Sequence, residues 1–251
     1  MQWQAELDWA VGAARDAGAK LRKWFHEDKT VLSAEGRDIK LQADRDAEEA
    51  ILAVLSASAH PVLAEESGEH GMVDGGAPFW VVDPLDGTFN FSRGIPLCCV
   101  SIALCVGTEP VLGVIHDFNT GNLFSAVVGE GAWLDGEPMR VSAVEESGKG
   151  VLVTGLPTFR NFDDASMQGF LDEIRRFKKV RMLGSAALML ANVACGRADA
   201  YAEDDIMLWD VAAGAALVKA AGGYVDVRPS SSMKWARLVR CASHRSIWQT
   251  D

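Results

Sequence analysis

The chain has 251 residues, of which 49% are hydrophobic and 24% are charged, a composition typical of a globular protein with a large core. Lysine and arginine number 24 and aspartate and glutamate 35, so the formal net charge is −11 at pH 7. This charge repels nucleic acid and anionic membranes, so neither is expected as a partner. The longest central run without charged side chains, residues 94–108, is shorter than the roughly 18 apolar residues that span a bilayer, so no membrane segment is predicted.

The cysteines and histidines show no disulfide or zinc pattern. Five cysteines are an odd number and form no C-x-x-C pair, so free thiols in a reduced compartment are expected. The five histidines lack the spacing of zinc ligands. The first residues, 1–8, contain two acids and no basic-then-apolar pattern, so no secretory signal is expected and a cytoplasmic location is predicted.

The N-terminal part predicts two helices separated by a polar turn. Apolar side chains at three- and four-residue spacings predict an amphipathic helix over residues 4–26, and a second helix is expected over 44–59. Residues 35–38 predict an exposed turn between them. The turn comes shortly before an acidic helix start, so it is expected near a site.

Short apolar runs that end at acids follow these helices. Residues 61–64 and 79–82 each predict a buried strand, the first followed by Glu65 and the second by Asp83. Both strands are therefore expected to present carboxylates at their ends. Residues 98–142 then predict an antiparallel meander of strands joined by short turns.

The second half also mixes helices and strands. Strands are predicted over 151–154 and 198–202, and helices over 163–178, 185–195 and 210–221. No internal repeat or flexible linker separates the halves. We therefore expect a mixed α/β chain in which an N-terminal half, residues 1–150, and a C-terminal half, residues 151–251, share an interface.

The densest chemical signal is the segment that runs from Asp83 to Thr88. Two carboxylates, Asp83 and Asp86, lie three residues apart and can chelate a hard cation, and the carbonyl of Leu85 is a further candidate ligand. Gly87 permits a close backbone approach, and its amide with that of Thr88 can point at an anion. One segment can thus hold metal and phosphate, although its D-P and D-G pairs are also typical of an acidic surface turn.

Two further acids have both a functional and a structural interpretation. Glu65 is followed by a second glutamate at a predicted strand end, where adjacent acids repel each other unless they are solvated or bind a cation. Asp210 begins an otherwise apolar helix, which a helix N-cap explains equally well.

Taken together, these segments resemble the inositol monophosphatase family of magnesium-dependent, lithium-sensitive phosphatases. The motifs Glu-Glu-Ser, Asp-Pro-Leu-Asp-Gly-Thr and Trp-Asp-Val-Ala-Ala-Gly occur in the order and at the separations of that family. The likeness runs from the first helix to about Ala242 and includes residues 36–38, 43–44, 184–186 and 196–200. Three ordered motifs with an acid at every ligand position are highly specific.

The resemblance implies a layered α/β fold, in which helices alternate with two β-sheets as in inositol monophosphatase and fructose-1,6-bisphosphatase. It also implies two or three Mg²⁺ ions as cofactors. Glu65, Asp83 and the Leu85 carbonyl would hold the first ion. Asp83, Asp86 and Asp210 would hold the second, and Glu65 would also serve a weaker third ion.

The resemblance assigns further roles. The catalytic residues would be Asp44, Glu65 and Thr88, with Thr88 and Asp44 orienting and deprotonating a metal-activated water that attacks phosphorus directly. The amides of Gly87 and Thr88 would bind phosphate. Substrate contacts are implied for Asp86, Gly184, Ser185, Ala186 and Glu203.

Two departures from the family pattern affect the site. Ser33 stands where relatives often carry a lysine near the third metal, which leaves the number of ions open. Glu203 is followed by Asp204 and Asp205, at positions that are usually less acidic, and whether these face the pocket is open. If two of the three acids do, a second phosphate would meet like charge, whereas hydroxyl or ammonium groups would pair with them.

The sequence therefore predicts a Mg²⁺-dependent phosphomonoesterase of the inositol-1-monophosphatase type that hydrolyses a small polyol or sugar monophosphate. Within the superfamily, the alternatives are phosphatases of histidinol phosphate, fructose 1,6-bisphosphate or 3′-phosphoadenosine 5′-phosphate. A catalytically inactive regulator that binds metal or inositol is the alternative outside enzymes. A homodimer is expected.

Overall fold

The computed structural model describes residues 2–27, 31–35, 38–73, 76–156 and 162–249, with the backbone alone for 33–35 and 38–40. Helices α1 to α6 are Gln4–Trp24, Gln42–Leu55, Thr88–Ser92, Asp164–Arg175, Ala186–Ala194 and Leu208–Ala220. Strands β1 to β15 are Val31–Glu35, Asp38–Leu41, Val62–Ala64, Gly68–His70, Pro78–Asp86, Cys99–Val106, Glu109–Asp117, Asn122–Val127, Gly131–Leu134, Glu137–Pro138, Val151–Thr154, Lys179–Arg181, Ala200–Met207, Tyr224–Pro229 and Ala236–Ala242.

Helices α1 and α2 cover one face of the larger sheet. Helix α1 buries a face of alanine and leucine side chains, as its periodicity predicts. Helix α2 ends at Leu55, earlier than the sequence predicts. Ser58 explains this end, because its hydroxyl donates to the Leu55 carbonyl (2.8 Å) and accepts from Trp80 Nε1 (2.8 Å).

Strands β1 and β2 form an antiparallel hairpin between the two helices. The predicted turn falls where they meet, and its positions 36 and 37 lie outside the described residues. Ser33 lies in β1, where the backbone alone is described. The described residues therefore do not test how Ser33 affects the third metal site, and two or three Mg²⁺ ions stay a prediction.

The larger sheet has eight strands in the order β10-β9-β8-β7-β6-β5-β3-β4, and β6 to β10 form the predicted meander. Strand β5 is longer than predicted, since it continues to Asp86 across a register irregularity that starts at Asp83. Pro84 explains the irregularity because it has no N–H for the ladder. The segment from Asp83 to Asp86 is thus the end of a buried strand, and the surface-turn interpretation is wrong.

The smaller sheet has five strands in the order β12-β11-β13-β15-β14. Helices α5 and α6 lie between the sheets, where Val81 of β5, Val211 of α6 and Tyr201 of β13 belong to one buried cluster. Trp80 packs with α1 and α2 on the opposite face of β5, and Ile174 of α4 packs on the outer face of the smaller sheet. Layers of helices and sheets therefore alternate, which confirms the predicted α/β fold.

Strand β13 also differs from its prediction. It runs to Met207 instead of ending near residue 202, so the acids at 203–205 lie within the strand and not after it. Pairing with β15 on both sides of Asp205 keeps this segment extended.

The chain passes from the larger sheet to the smaller one between β10 and β11. We keep a boundary between the two halves near residue 150 as a proposal.

All five cysteines are free thiols, as their number and spacing predict. Four are buried, and Cys195 is partly exposed beyond the end of α5. Within the described residues, no helix has both the length and the apolar character that crossing a bilayer requires.

Gly113 of β7 lies against the backbone of α6. A Cβ atom there would lie 2.3 Å from the Ala213 carbonyl oxygen and 3.0 Å from Ala213 Cα. Because backbone atoms do not move aside as a flexible side chain does, we expect Gly113→Ala to lower the free energy of unfolding by about 1–3 kcal/mol. Thermal denaturation measures this loss.

Gly12→Ala is the matched control for this prediction. Apart from the adjacent backbone of α1, no atom of the described residues lies within 4 Å of a Cβ at Gly12, and alanine raises the helix propensity of α1. Equal melting temperatures for the two variants would contradict the close-packing argument.

Candidate active site

Three aspartates converge between the larger sheet and the middle helices. Asp83 and Asp86 stand at the end of β5, and Asp210 lies in the first turn of α6. Each aspartate contributes one carboxylate oxygen, and these three oxygens lie within 4.8 Å of one another. The first two side chains are buried and that of Asp210 is half-buried. We call these three residues the acid cluster.

Helix α5 fixes the orientation of Asp86. The carboxylate accepts hydrogen bonds from the Ser185 hydroxyl (2.6 Å) and the Ala187 amide (2.7 Å). The Ala186 amide (3.3 Å) and the Cys99 thiol (3.9 Å) are longer donors. Burial raises the pKa of Asp86 to about 6, and the hydrogen bonds limit this rise. Asp86 is therefore mostly ionised at neutral pH.

Asp83 has one satisfied and one unsatisfied oxygen. Its Oδ1 accepts from the Leu85 amide (2.9 Å), whereas Oδ2 is buried and has no hydrogen-bond partner in the described part of the chain. Burial and the charges of Glu65, Asp86 and Asp210 raise the pKa of Asp83 well above its usual range. A buried carboxylate oxygen without a donor requires a proton or a cation.

Glu65 follows β3 and adjoins the acid cluster. Its amide donates to the Val82 carbonyl of the neighbouring strand (3.1 Å), which fixes the backbone beside β5. Burial, and then the charge of Asp210, raise the pKa of Glu65 well above its usual range, and its side chain contacts Asp83. A freely solvated strand end therefore does not describe Glu65.

Asp44 and Asp210 occupy equivalent positions in two helices. Each is the third residue of its helix and accepts from the amide of the residue before the helix, Leu41 (2.7 Å) for Asp44 and Met207 (3.2 Å) for Asp210. The N-cap interpretation of Asp210 is therefore wrong, because Met207 occupies the N-cap position in extended conformation, as Leu41 does in α2.

Thr88 begins helix α3, with its hydroxyl between two acceptors. Its Oγ1 lies 3.0 Å from Asp44 Oδ1 and 2.9 Å from the Leu85 carbonyl oxygen. Gly87 has φ of 90°, and a Cβ there would lie 2.7 Å from the Leu97 carbonyl oxygen, so the turn requires glycine. Burial raises the pKa of Asp44 to about 7, which suits a proton acceptor at neutral pH.

A cavity of about 480 Å³ adjoins the acid cluster. Its wall includes seven of the residues that the sequence singles out: Glu65, Asp86, Gly184, Ser185, Ala186, Glu203 and Asp210. The remaining predicted residues do not line the cavity but adjoin Asp86 along the chain or through the hydrogen bonds described above: Asp44, Asp83, Leu85, Gly87 and Thr88. The structure therefore brings all predicted site residues into one region.

The three consecutive acids of β13 differ in their surroundings. Glu203 is buried on the cavity wall. Asp204 pairs with Arg240 through two contacts, Nη1 to Oδ1 (2.8 Å) and Nη2 to Oδ2 (3.3 Å). Asp205 lies on the cavity wall and accepts a hydrogen bond from the Ser230 hydroxyl. Two of the three acids therefore face the cavity.

Several groups around the site carry no local signal in the sequence. The Ala187 amide and the Cys99 thiol contact Asp86 only because α5 packs against the end of β5. Tyr201 is fully buried, and its hydroxyl has no hydrogen-bond partner within the described residues. A buried glutamate on α2, Glu48, accepts from the amide of Glu66 (2.9 Å) and fixes the turn after Glu65.

The donor set of the acid cluster fits a hard divalent cation. The converging ligand atoms are carboxylate oxygens, which Mg²⁺ prefers to nitrogen or sulfur. A cation would also satisfy the buried Oδ2 of Asp83 and relieve the charge repulsion that, after burial, raises the pKa of Asp83.

Comparison with known proteins identifies the family of this chain. A family model described as "Inositol monophosphatase family" matches residues 3–248. The chain belongs to the inositol monophosphatase family. It is therefore a phosphatase, a phosphoric monoester hydrolase of a metal-dependent family, and its acid cluster accords with that dependence.

Relatives cover nearly the whole chain. The Nus factor SuhB of Xylella fastidiosa is 42% identical over 221 residues, 86% of this chain and 79% of the relative. Inositol monophosphatase 3 of Solanum lycopersicum is 38% identical over 228 residues, 87% of this chain and 84% of the relative. The solved inositol monophosphatase from Anabaena (Nostoc) sp. PCC 7120 is 36% identical with a TM-score of 0.83, covering 97% of this chain and 92% of that one.

Proposed function

We propose that this protein is a Mg²⁺-dependent phosphomonoesterase of the inositol-1-monophosphatase type, with a small polyol or sugar monophosphate as substrate. The observation that carries the proposal is the convergence of Asp83, Asp86 and Asp210. One oxygen of this cluster, Asp83 Oδ2, is buried and lacks a donor within the described residues. A phosphate dianion approaches such a cluster only when cations neutralise it.

The proposed ligands of the first Mg²⁺ are Glu65, Asp83 and the Leu85 carbonyl, and those of the second are Asp83, Asp86 and Asp210. A weaker third ion is proposed at Glu65. When bound, Mg²⁺ supplies positive charge to the phosphoryl group and makes water more acidic. The Leu85 carbonyl is available to a cation, because the single proton of the nearby Thr88 hydroxyl (2.9 Å) is directed to Asp44 in the proposed proton path.

Thr88 and Asp44 form the proposed proton path. The Thr88 hydroxyl donates to Asp44, so its lone pairs are free to accept a hydrogen bond from an attacking water. As the water attacks phosphorus in line, the bond from phosphorus to the leaving-group oxygen breaks, and that oxygen takes a proton from solvent. The proton of the attacking water passes to Thr88 Oγ1, and the Thr88 proton passes to Asp44 Oδ1. Because the pKa of Asp44 is raised to about 7, it takes this proton near neutral pH.

The remaining site residues are proposed to position the substrate. The amides of Gly87 and Thr88 would bind phosphate oxygens, since the left-handed backbone at Gly87 places them at the start of α3. On the leaving-group side, hydroxyls would donate to Glu203, which is buried on the cavity wall. Residues 184–186 would complete this wall.

Glu203 and Asp205 on the cavity wall support a preference among monophosphates. A second phosphate would meet their like charge, at a cost on the order of several kcal/mol. Inositol and sugar monophosphates are therefore proposed over the bisphosphates of fructose and adenosine. Histidinol phosphate, whose ammonium would pair with the acids, is the second candidate.

A substrate panel tests this function. Phosphate release is measured for inositol 1-phosphate, histidinol phosphate, fructose 1,6-bisphosphate and 3′-phosphoadenosine 5′-phosphate, with Mg²⁺ and with chelator. We expect turnover only with Mg²⁺ and the highest kcat/KM for a monophosphate. A bisphosphate preferred by about tenfold or more would contradict the charge argument.

The same panel separates the enzyme from an inactive regulator. No acid at a proposed ligand position is substituted, which supports turnover, although some relatives carry the name Nus factor SuhB. Retained Mg²⁺ binding without release of phosphate from any substrate would favour the regulator. A homodimer, a cytoplasmic location and the lack of a nucleic-acid partner stay part of the proposal, the last supported by the net charge of −11.

A further inference from the structure

Asp205 is an extra residue in the pairing of β13 with β15. Asp204 pairs with Leu238 and Ile206 with Arg237, so Asp205 has no partner across the ladder. Its φ is 63°, in the left-handed region that few side chains other than aspartate and asparagine adopt readily. Bulges of this kind redirect a side chain and are frequent beside active sites.

The bulge gives two neighbouring acids different environments. Arg240 neutralises Asp204 through two contacts and binds Glu173 as well (2.8 Å). Asp205 instead shares the cavity wall with the active-site acids, and among the described residues only the Ser230 hydroxyl donates to its carboxylate. The charge of Asp205 is therefore presented to the cavity.

The rest of the wall favours a cation near Asp205. Glu203 contributes a second carboxylate outside the acid cluster, and Phe89 and Trp209 contribute aromatic rings. No lysine, arginine or histidine belongs to the wall within the part of the chain that the structure describes. A carboxylate beside aromatic faces is a surrounding in which a protonated amine binds well.

We propose that Asp205 is a specificity-determining residue that receives a protonated amine on the leaving group of the substrate. This inference rests on the proposed phosphomonoesterase function and adds that, among monophosphates, those with an amine on the leaving group are preferred. Ser230 holds one carboxylate oxygen of Asp205, and the ammonium group pairs with the other.

A series of matched substrates tests the proposal. kcat/KM is measured for ω-aminoalkyl phosphates of increasing chain length and for the ω-hydroxyalkyl phosphates of the same length. The wild type should prefer the amine at the chain length that reaches Asp205. Asp205→Asn should lower this preference about tenfold or more, the scale of a hydrogen bond to a charged group, because kcat/KM should fall far more for the amine series than for the hydroxyl series.

Two further variants control for net charge and for folding. Asp204→Asn removes the same charge from the neighbouring residue, which faces Arg240, and should leave the amine preference unchanged. Asp205→Gly suits the left-handed backbone and should lose the preference as Asp205→Asn does. An unchanged preference in folded Asp205→Asn and Asp205→Gly overturns the proposal, as does a wild type that prefers the hydroxyl series throughout.

Binding separates this inference from the proposed function. Calorimetry with Mg²⁺ and the non-hydrolysable ω-aminoalkyl and ω-hydroxyalkyl phosphonates reports the same preference without turnover. If no phosphate is hydrolysed but the phosphonate preference depends on Asp205, the function fails and the assignment of Asp205 stands. If phosphates are hydrolysed without an Asp205-dependent preference, the assignment fails and the function stands. Neither hydrolysis nor preferential binding overturns both.

Discussion

Asp83→Asn is expected to lower kcat/KM for inositol 1-phosphate by a factor on the order of 10³, because metal ions contribute several kcal/mol of transition-state stabilisation. Asp83 is the residue proposed to bridge two Mg²⁺ ions, and its buried Oδ2 has no other partner within the described residues. Asparagine keeps an acceptor for the Leu85 amide, so the backbone at the end of β5 should not move. Steady-state kinetics with saturating Mg²⁺ measures the loss.

Asp210→Asn is the companion variant. Asp210 is half-buried at the start of α6 and is proposed to bind only the second ion. We therefore expect mainly a higher Mg²⁺ concentration for half-maximal activity. Activity of Asp83→Asn within about tenfold of the wild type would contradict the bridging role. An unchanged Mg²⁺ requirement in Asp210→Asn would remove Asp210 from the site.

Asp83→Asn should also stabilise the metal-free protein. The pKa of Asp83 and that of Glu65 are raised well above their usual ranges, and that of Asp86 is raised to about 6. An acid with a raised pKa favours folding below its unfolded pKa of about 4, and this contribution is lost as the pH rises through the folded value. In chelator, the wild-type Tm should fall as the pH rises from about 5 through the pKa of Asp86, about 6, because the folded acids still hold protons that the unfolded chain has lost.

Asp83→Asn removes one of these charges and places an amide group beside Glu65. Its metal-free Tm at about pH 8 should therefore exceed that of the wild type, by roughly 2–4 °C for each kcal/mol gained. Asp172→Asn, on the exposed surface of α4, is the control and should leave the Tm unchanged. A lower Tm for Asp83→Asn in chelator would show that the acids do not repel one another as the structure indicates.

The mixed α/β class could be predicted because most helices and strands have a local signal, whereas their arrangement in layers was implied by the family resemblance. Helix α1 shows its buried stripe in the spacing of its apolar residues, and the meander shows its turns. The lengths of β5 and β13 were underestimated, because both strands continue through charged residues that look like turns or loops. Pairing with β6 and β15 keeps these segments extended, and a pairing partner distant in sequence leaves no local pattern.

The candidate site shows the same limit. The order of the motifs, by resemblance, predicted that Glu65, Asp83, Asp86 and Asp210 are neighbours. The structure brings one carboxylate oxygen of each of the three aspartates within 4.8 Å of the others. The sequence did not show that the start of α5 holds Asp86, because that contact joins residues about a hundred positions apart. The different surroundings of Asp204 and Asp205 depend on a β-bulge, and two adjacent acids in a sequence do not indicate a bulge.

Thr88→Ala and Asp44→Asn should each lower kcat by about 10²- to 10⁴-fold, the usual contribution of general acid–base catalysis. The Thr88 hydroxyl is the link between Asp44 (3.0 Å) and the proposed site of water attack. Neither side chain is proposed to bind metal, so the affinity for the tightest Mg²⁺ should change little. Single-turnover kinetics and Mg²⁺ titration by calorimetry measure the two effects separately.

Thr88→Ser is the matched control, because it keeps the hydroxyl and should retain most of the activity. Asp44 also has a structural role, since Oδ2 accepts from the Leu41 amide at the start of α2 (2.7 Å). Asparagine keeps an acceptor there, so the loss of stability should stay below about 1 kcal/mol. If Asp44→Asn lowers the Tm while turnover per folded molecule is unchanged, Asp44 only anchors the helix, and the proton must leave the attacking water by another path.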